Sequence, residues 1–385
     1  MSIEHNETRQ AVREVVKGVT DRFDRREFVR RARDGEGVDD VWETLGELGL
    51  LGMGVPEEYG GNGGGMTGPV AVIEALSQAG TPPVLVLLTA FARMAILRHG
   101  TEEQIQQFVA PTCTGEVKLC FAITEADAGT NSFRMETFAE QDGDVYRING
   151  QKIFISGADQ ATHMMVVART TRLRDTDDKR VGLSLFVLPM DSPGLELQQM
   201  DIDLHSPEHQ FFVFLNDVEV PAANLVGTRD EGLRALFDAL NPERLLVSAW
   251  ALGLGDHVLA KGVEYASTRA PFGTPIGSYQ AVQHPLARAK AHLEAARLML
   301  YSACDTYDAG GDAGWAANMA KLLASEAANE AVDAVMQAHG GSAFDRDTDV
   351  ITLWPMIRLL RIAPVNNEMV LNYLAERVLG LPKSY

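Results

Sequence analysis

Three stretches of different residue periodicity follow one another in this 385-residue chain and limit the folds open to it. Residues 7–116 repeat apolar side chains every three or four positions, as amphipathic helices do. Residues 118–227 change to short runs rich in β-branched and aromatic side chains, which are typical of strands. Beyond residue 227, long Ala- and Leu-rich helical segments follow. Because helices and strands do not alternate, and no G-x-G-x-x-G follows a strand, the pattern argues against a dinucleotide-binding parallel sheet.

This order predicts an α+β multidomain protein with a helical N-terminal domain (1–117), a small all-β middle domain (118–227) and a C-terminal helical bundle (228–385). In the middle domain, Asn149 and Gly150 lie between two β-type runs, which predicts a hairpin turn there. Inside the C-terminal domain, Gly253 and Gly255 are expected where helices pack closely. Four long segments predict a four-helix bundle: 233–267, 281–307, 315–338 and 353–379.

The formal net charge of −19 argues against nucleic acid and anionic membrane surfaces as partners, because both attract basic patches. The first ten residues lack the apolar stretch of a signal peptide, and no run is apolar and long enough for a membrane span. The three cysteines, Cys113, Cys120 and Cys304, include no C-x-x-C pair. A cytoplasmic protein is therefore expected.

One segment, residues 205–209, spells H-x-x-E-H, a zinc-binding signature that needs both histidines on one face of a helix. Pro207 lies inside the segment and disfavours a helix. We expect a surface loop here and no metal site.

Two short runs, residues 121–130 and 149–157, join β-type stretches to small residues and hydroxyls. Small side chains allow the backbone to approach a ligand closely, and hydroxyls offer hydrogen bonds to its edge. Together the two runs predict a cradle for a planar ligand with polar edges, such as a flavin ring.

With these runs included, the chain resembles the acyl-CoA dehydrogenase family along nearly its whole length. The resemblance rests on six ordered stretches: 55–61, 100–116, 124–130, 217–227, 269–280 and 337–341. It implies a helical N-terminal domain, a small β domain and a C-terminal four-helix bundle. It also implies FAD as cofactor, an acyl-CoA as substrate, electron-transferring flavoprotein as acceptor and a homo-oligomer, usually a tetramer.

The resemblance further implies which residues bind the flavin. Those expected around the ring are Phe121, Ile123, Thr124, Gly129, Thr130, Phe154, Ile155, Ser156, Asn366 and Glu368. Arg269, a permanent cation beside Phe272, suits the pyrophosphate. The residues expected to reach the adenosine half, in this family from a neighbouring subunit, are Gln280, Gln337, Gly340 and Gly341.

The family reaction needs a carboxylate that removes the α-proton of an acyl thioester while the β-hydride moves to flavin N5. Many members place this base in a late E-G-T run, where this chain has Pro364 instead. A second family solution uses a glutamate before Arg-Leu or Arg-Phe, and Glu243 matches it. The resemblance therefore makes Glu243 the catalytic base. The alternative is a glutamate that stabilises the first turn of a helix beginning after Asn241 and Pro242.

The residues expected to bind the substrate are Thr130, Asn241, Arg244 and Tyr265. In the family, a backbone N–H at the Pro364 position helps to bind the thioester carbonyl, and proline has none. The expected reaction is conversion of an acyl-CoA to its trans-2-enoyl-CoA. The alternatives are an acyl-CoA oxidase, other flavin chemistry on this scaffold, or a non-catalytic partner subunit of a heteromeric dehydrogenase. The sequence leaves acyl length and branching open.

Overall fold

The structure is a computed structural model that describes residues 2–82 and 84–383. Its first region is helical, as predicted, and its two central helices, Thr67–Gln78 and Val84–His99, are buried on nearly all sides. A helix that is apolar all round must lie inside the molecule. The helices of this region are α1 (Ile3–Thr20), α2 (Arg25–Asp34), α3 (Asp39–Glu47), α4 (Thr67–Gln78), α5 (Val84–His99), α6 (Glu102–Gln104) and α7 (Ala110–Thr114).

The middle region forms one eight-stranded sheet, in agreement with the predicted all-β domain. The strands follow the order β6-β7-β3-β2-β4-β5-β8, and β1 pairs in parallel with β4. Their bounds are β1 (Leu119–Ala122), β2 (Phe138–Asp142), β3 (Val145–Ser156), β4 (His163–Arg169), β5 (Leu183–Pro189), β6 (Leu195–Gln199), β7 (Gln210–Pro221) and β8 (Leu225–Val226).

The hairpin predicted at Asn149 and Gly150 is wrong, because β3 runs through both residues and its turn with β2 lies at residues 143–144. The pairing of β3 with β7 shifts between Ile148 and Gly150, as at a β-bulge. The Asn149 side chain binds Asp217 on β7, with Nδ2 2.7 Å from Oδ1. A Cβ atom at Gly150 would lie 2.5 Å from Thr137 Oγ1. The pair therefore serves a bulge and a close approach rather than a turn.

The C-terminal region is helical, but only three of the four predicted long helices are continuous. These are α8 (Gly232–Thr268), α9 (Gln280–Asp308) and α10 (Ala313–His339). The fourth segment is broken into α11 (Trp354–Leu359) and α12 (Asn367–Tyr373). Pro364 supplies no N–H and disfavours helix in the preceding residue, so the first helix cannot continue through it. Asn366 then starts α12 as its N-cap, since its side chain accepts a 2.9 Å hydrogen bond from the Met369 N–H.

Helix α8 lies between the two helical regions, in contact with α4, α5, α9 and α10. Its glycines make these contacts close, as expected. A Cβ atom at Gly253 would lie 2.4 Å from the Cβ of Ser77 on α4, and one at Gly255 would lie 2.6 Å from Leu293 on α9. Among the described residues, none of the helices is both long and apolar enough to span a membrane.

Candidate active site

The first run of the predicted cradle continues from the end of β1 and lies beside β3. The Thr124 carbonyl accepts a 2.9 Å hydrogen bond from the Ile153 N–H of the second run. The Phe121 ring is buried and packs edge-on against Phe91 of α5, with centroids 5.1 Å apart. The structure therefore brings the two runs together, as the sequence predicted.

A buried ion pair between Glu125 of the first run and Lys152 of the second joins the two runs. Lys152 is fully buried, and its Nζ donates to Glu125 Oε1 over 2.8 Å and to the Ile123 carbonyl over 3.1 Å. The Glu125 carboxylate also accepts from the backbone N–H groups of Glu136 and Thr137. Burial lowers the pKa of Lys152 to about 8, although Glu125 opposes the shift. Burial alone would raise the pKa of Glu125, but Lys152 holds it below its ordinary value.

Neither member of this pair was assigned a role from the sequence. The available signal was Lys152 itself, a lysine directly before the apolar residues 153–155 of a strand, since a buried lysine needs partners.

Phe154 presents an aromatic ring at the surface of the cradle. Its backbone is left-handed, with φ of 57°, and the pairing of β3 with β7 shifts between Lys152 and Ile155. Such a φ is unfavourable for a bulky residue and costs about 1–3 kcal/mol. The bulge redirects the side chain, which is 54% exposed, whereas Ile155 is buried. An exposed ring held by a strained strand suits one face of a planar ligand.

Polar side chains lie at two further points of the cradle. The Ser156 hydroxyl on β3 is 2.7 Å from Nε2 of Gln210 on β7. The exposed Thr130 Oγ1 accepts a 3.2 Å hydrogen bond from Nδ2 of Asn366, which precedes α12. The second contact joins the middle domain to the C-terminal domain. Gly129 has open space where a Cβ would stand, and Glu368 is exposed.

Glu243 lies in the interior of α8 rather than in a first turn. The helix begins at Gly232, about three turns earlier. Stabilisation of a helix start therefore does not explain Glu243.

The Glu243 carboxyl is nearly enclosed, with the residue 9% exposed. Its Oε2 atom is buried and has no hydrogen-bond partner among the described residues. Burial raises the pKa of Glu243 to about 8, against the opposing charge of Arg244. A desolvated carboxylate with a raised proton affinity is suited to removing a weakly acidic proton.

Arg244 and Asn241 lie beside Glu243 on α8. Arg244 is buried, and its Nη1 donates to Asn241 Oδ1 over 2.8 Å and to the Leu240 carbonyl over 3.3 Å. Burial lowers the pKa of Arg244, while the charges of Glu243 and Tyr373 act to raise it. The cation thus remains close to the carboxylate without a direct hydrogen bond to it.

Tyr265 lies far from this group. Its ring stacks on His339 of α10, with centroids 4.1 Å apart. Along α8, Tyr265 lies about 33 Å from Glu243 at 1.5 Å per residue. Within one chain the structure does not bring Tyr265 together with the other residues expected to bind substrate.

The residues expected at the pyrophosphate and adenosine lie at the same far end of the bundle. Arg269 follows the last residue of α8 as its C-cap, Gln280 begins α9 and Gln337 lies in the last turn of α10. All of them are exposed, as are Gly340 and Gly341. Phe272, next to Arg269 in this group, is 84% exposed. In a single chain they form an open surface.

The H-x-x-E-H segment forms an irregular connection before β7, not a helix, so the two histidines do not share a helix face. The expectation of a surface loop is wrong, because Ser206, Pro207 and Glu208 are buried. Its Glu208 is buried and accepts hydrogen bonds from the Leu85 N–H over 3.2 Å and from Ser206 Oγ over 2.9 Å. Glu208 therefore binds the first turn of α5. Within residues 2–82 and 84–383, no cluster of three or more His, Cys, Asp or Glu side chains is arranged to hold a metal ion.

A sheet domain between two helical regions is the architecture of a class of flavoprotein oxidoreductases, the acyl-CoA dehydrogenase family, and the chain belongs to this family. Three family profiles cover it in order, namely the acyl-CoA dehydrogenase N-terminal domain over residues 2–116, the middle domain over 120–210 and the C-terminal domain over 230–379. The protein is accordingly an acyl-CoA dehydrogenase by family.

Individual relatives match the chain over almost its full length. Acyl-CoA dehydrogenase FadE12 of Mycobacterium tuberculosis is 41% identical over 99% of this chain and 98% of its own length. A chain in the structure of the electron-transferring flavoprotein of Acidaminococcus fermentans has a TM-score of 0.92 at 29% identity, covering 98% of this chain and 100% of that one. The structure of PigA with FAD and proline has a TM-score of 0.90 at 26% identity, covering 99% of this chain and 98% of that one.

Proposed function

We propose that this protein oxidises an acyl-CoA to its trans-2-enoyl-CoA, with Glu243 as the base that removes the α-proton. The observation that carries the proposal is the buried Glu243 carboxyl of α8, whose Oε2 has no partner in the described part of the chain and whose pKa is raised to about 8. The other position at which the family places its base is occupied by Pro364, which cannot act as one. FadE12 is named an acyl-CoA dehydrogenase, which supports the same reaction here.

Glu243, Arg244 and the bound FAD have different roles in the proposed reaction. Glu243 accepts the α-proton on its free oxygen, and its enclosure keeps water from competing. The neighbouring Arg244 cation favours the ionised form of Glu243, which is the form that accepts the proton. FAD, when bound, supplies the acceptor for the two electrons that leave the β-carbon.

Side chains of the cradle support FAD as the cofactor. Phe154 offers an exposed ring face, and Ser156 and Thr130 of the two runs offer hydroxyls. PigA, which is similar to this chain, has been solved with FAD, which supports the same cofactor. Residues 121–130 and 154–156 would hold the ring, and the exposed group around Arg269 would hold the remote half.

The assembly proposed is a homotetramer in which a second copy supplies that remote half. Arg269 lies about 39 Å along α8 from Glu243, so one chain does not present both groups to one short region. Electron-transferring flavoprotein is the proposed electron acceptor, supported by the likeness to a chain in the Acidaminococcus fermentans structure. The cytoplasmic location remains a prediction; the cysteines Cys113, Cys120 and Cys304 are unpaired and buried.

One observation favours a second candidate, a flavin oxidase acting on a different thioester. Pro364 removes a backbone donor that the family uses for the thioester carbonyl, and losing one such donor costs about two to three powers of ten in rate. PigA is a related scaffold solved with proline. Oxygen consumption during turnover, in the absence of electron-transferring flavoprotein, would favour the oxidase.

The test of the base is Glu243→Gln in the FAD-loaded protein. The flavin of the wild type is expected to bleach when mixed anaerobically with a substrate from a panel of butyryl-, octanoyl- and isovaleryl-CoA. Because general base catalysis contributes about 10²- to 10⁴-fold, the variant should bleach slower by that factor. The matched control is Glu264→Gln on the exposed face of the same helix. Bleaching of Glu243→Gln at the wild-type rate would remove Glu243 from the mechanism.

A further inference from the structure

Lys321 of α10 is a fully buried cation that no step of the proposed reaction uses. Its Nζ donates to the Val365 carbonyl over 2.6 Å and to Asn367 Oδ1 over 2.7 Å. Asn367 Oδ1 also accepts a 3.1 Å hydrogen bond from Ser325 Oγ. Lys321 and Ser325 are one helical turn apart, so both reach the same acceptor. This group is called the α10 clamp below.

The α10 clamp is costly to maintain. Burial lowers the pKa of Lys321 to about 7; the nearby Arg244 cation adds to the effect and Glu368 opposes it. Within the described residues, its Nζ donates to a carbonyl and an amide oxygen, not to a carboxylate that would neutralise its charge. An apolar side chain of similar length would avoid this desolvation. The effect of the clamp that an apolar side chain would not give is therefore the fixed position of residues 365 and 367.

These two residues flank Asn366, which contacts the flavin cradle. Asn366 Oδ1 caps α12, and its Nδ2 donates to Thr130 over 3.2 Å. Pro364 precedes the held carbonyl directly. One side chain on α10 thus holds both neighbours of the residue that joins the C-terminal domain to the cradle. The same side chain is also close enough to Arg244, the neighbour of Glu243 on α8, for the two charges to interact.

We propose that Lys321 is a positioning residue, which holds residues 364–367 against the cradle and so orients the substrate thioester relative to Glu243. The proposal rests on the proposed function, because it assumes that a thioester binds between Glu243 and this segment. Lys321 itself touches neither substrate nor cofactor. Its effect passes through Val365 and Asn367.

The central variant is Lys321→Met, which keeps the unbranched shape and removes the donors. A displacement of about 1 Å at reacting atoms costs on the order of 100-fold in rate. We expect flavin bleaching at saturating acyl-CoA to slow by about 10- to 100-fold. The concentration for half-maximal rate should change much less, because most contacts to the CoA remain. FAD content per chain should stay that of the wild type.

The matched control is Lys261→Met, the same substitution on α8. Lys261 also donates to a backbone carbonyl, that of Thr348, over 3.3 Å, but away from the cradle. A loss of stability common to both variants would leave their bleaching rates per bound flavin alike. A loss of positioning slows only Lys321→Met.

A second pair of variants keeps the test decisive if Lys321→Met does not fold. Asn367→Asp retains the oxygen that accepts from Lys321 and Ser325, whereas Asn367→Leu removes it at similar volume. The proposal expects Asn367→Asp to keep most of the wild-type bleaching rate and Asn367→Leu to lose it. Equal rates in the two variants would overturn the proposal.

A third measurement is independent of activity. Hydrogen exchange followed by mass spectrometry should show faster exchange in residues 362–370 of Lys321→Met or Asn367→Leu than in the wild type. Unchanged exchange there would overturn the proposal even in a protein that no acyl-CoA bleaches. Absence of bleaching in the wild type would instead count against the proposed function.

Discussion

At the scale of single residues, Glu243 shows how burial and chemistry are linked. An enclosed carboxylate destabilises the folded protein when it is charged, and the Oε2 atom of Glu243 has no hydrogen-bond partner within residues 2–82 and 84–383. The same enclosure makes it a stronger base, since its pKa rises to about 8. Burial thus lowers the stability of the folded protein with a charged Glu243 and, for the same reason, raises the affinity of this carboxylate for a proton. Substitution by the uncharged glutamine separates the two effects.

We predict that Glu243→Gln is more stable than the wild type near neutral pH, and that its advantage shrinks towards pH 5. The folded pKa of about 8 lies above the ordinary value of 4.5, so the folded state holds an extra proton between them. Wild-type stability from this group is complete below pH 4.5 and is lost as pH rises towards 8. The difference between the proteins should grow by about 2 kcal/mol from pH 5 to pH 7. Urea unfolding of both FAD-loaded proteins measures it.

A pH-independent difference between the two proteins would contradict the raised pKa. Glu264→Gln, at an exposed position of α8, controls for removal of a negative charge.

At the scale of structural elements, the cradle depends on a polar link between two segments that are distant along the chain. Lys152 of β3 and Glu125 after β1 meet beneath the surface that Phe154 presents. Because the pair is buried, each member needs the other. The strained backbone at Phe154 follows Lys152 by two residues and is held by the same strand.

We predict that Lys152→Met destabilises the protein by about 3 kcal/mol, because it leaves Glu125 buried without its cation. Glu125→Gln in the same chain should restore part of this loss, since the amide carries no charge. Chemical denaturation of the two single variants and the double variant gives the coupling energy. Strictly additive losses would show that the pair does not interact.

The sequence predicted the kinds of elements better than their interruptions. Periodicity places α8, α9 and α10 because each repeats its apolar face over many turns. Periodicity does not show that Asn149 and Gly150 lie at a bulge, because the same two residues are also typical of a hairpin turn. The pairing with the neighbouring strand determines which of the two structures forms. Pro364 is visible in the sequence and predicts a break in the helix. The sequence analysis did not predict that a new helix begins after it with Asn366 as N-cap, because the apolar repeat of residues 353–379 resembles one long helix.

The site was predicted unevenly for a related reason. Phe154, Ser156 and Glu243 belong to recognisable motifs, so their places were expected. Lys152, Lys321 and Asn367 act through partners that are distant in sequence, for example Lys321 and Val365, 44 residues apart. Tyr265 was expected to bind substrate together with Asn241 and Arg244, although helix rise alone separates it widely from them.

At the scale of the whole molecule, the far end of the bundle exposes large apolar side chains. Phe272 is 84% exposed and Phe344 is 68% exposed, close to the glycines that end α10. Exposed aromatic residues beside predicted cofactor-binding residues indicate a surface that another molecule covers. A second copy of this chain is the occupant proposed above.

We predict that the wild type is a stable oligomer and that Phe272→Asp lowers both its mass and its FAD content. A buried aspartate at a subunit interface would be desolvated without a partner, which opposes association. Light scattering with size-exclusion chromatography measures mass, and the absorbance ratio at flavin and protein bands measures FAD content. Leu48→Asp, at an exposed apolar position of the N-terminal region, is the control. A wild-type monomer that retains FAD would contradict the assembly.

The position of α8 has a consequence for how such chains can recombine. The N-terminal helices α4 and α5 bury much of their surface on α8, which lies beyond the sheet in sequence and belongs to the bundle. Crossovers placed at the apparent domain borders would therefore join a foreign α8 to native α4 and α5. Gly253, packed against Ser77, leaves no room for a larger side chain at that crossing. Chimaeras with relatives should fold when α4, α5 and α8 all come from the same parent protein, whichever parent supplies the sheet between them.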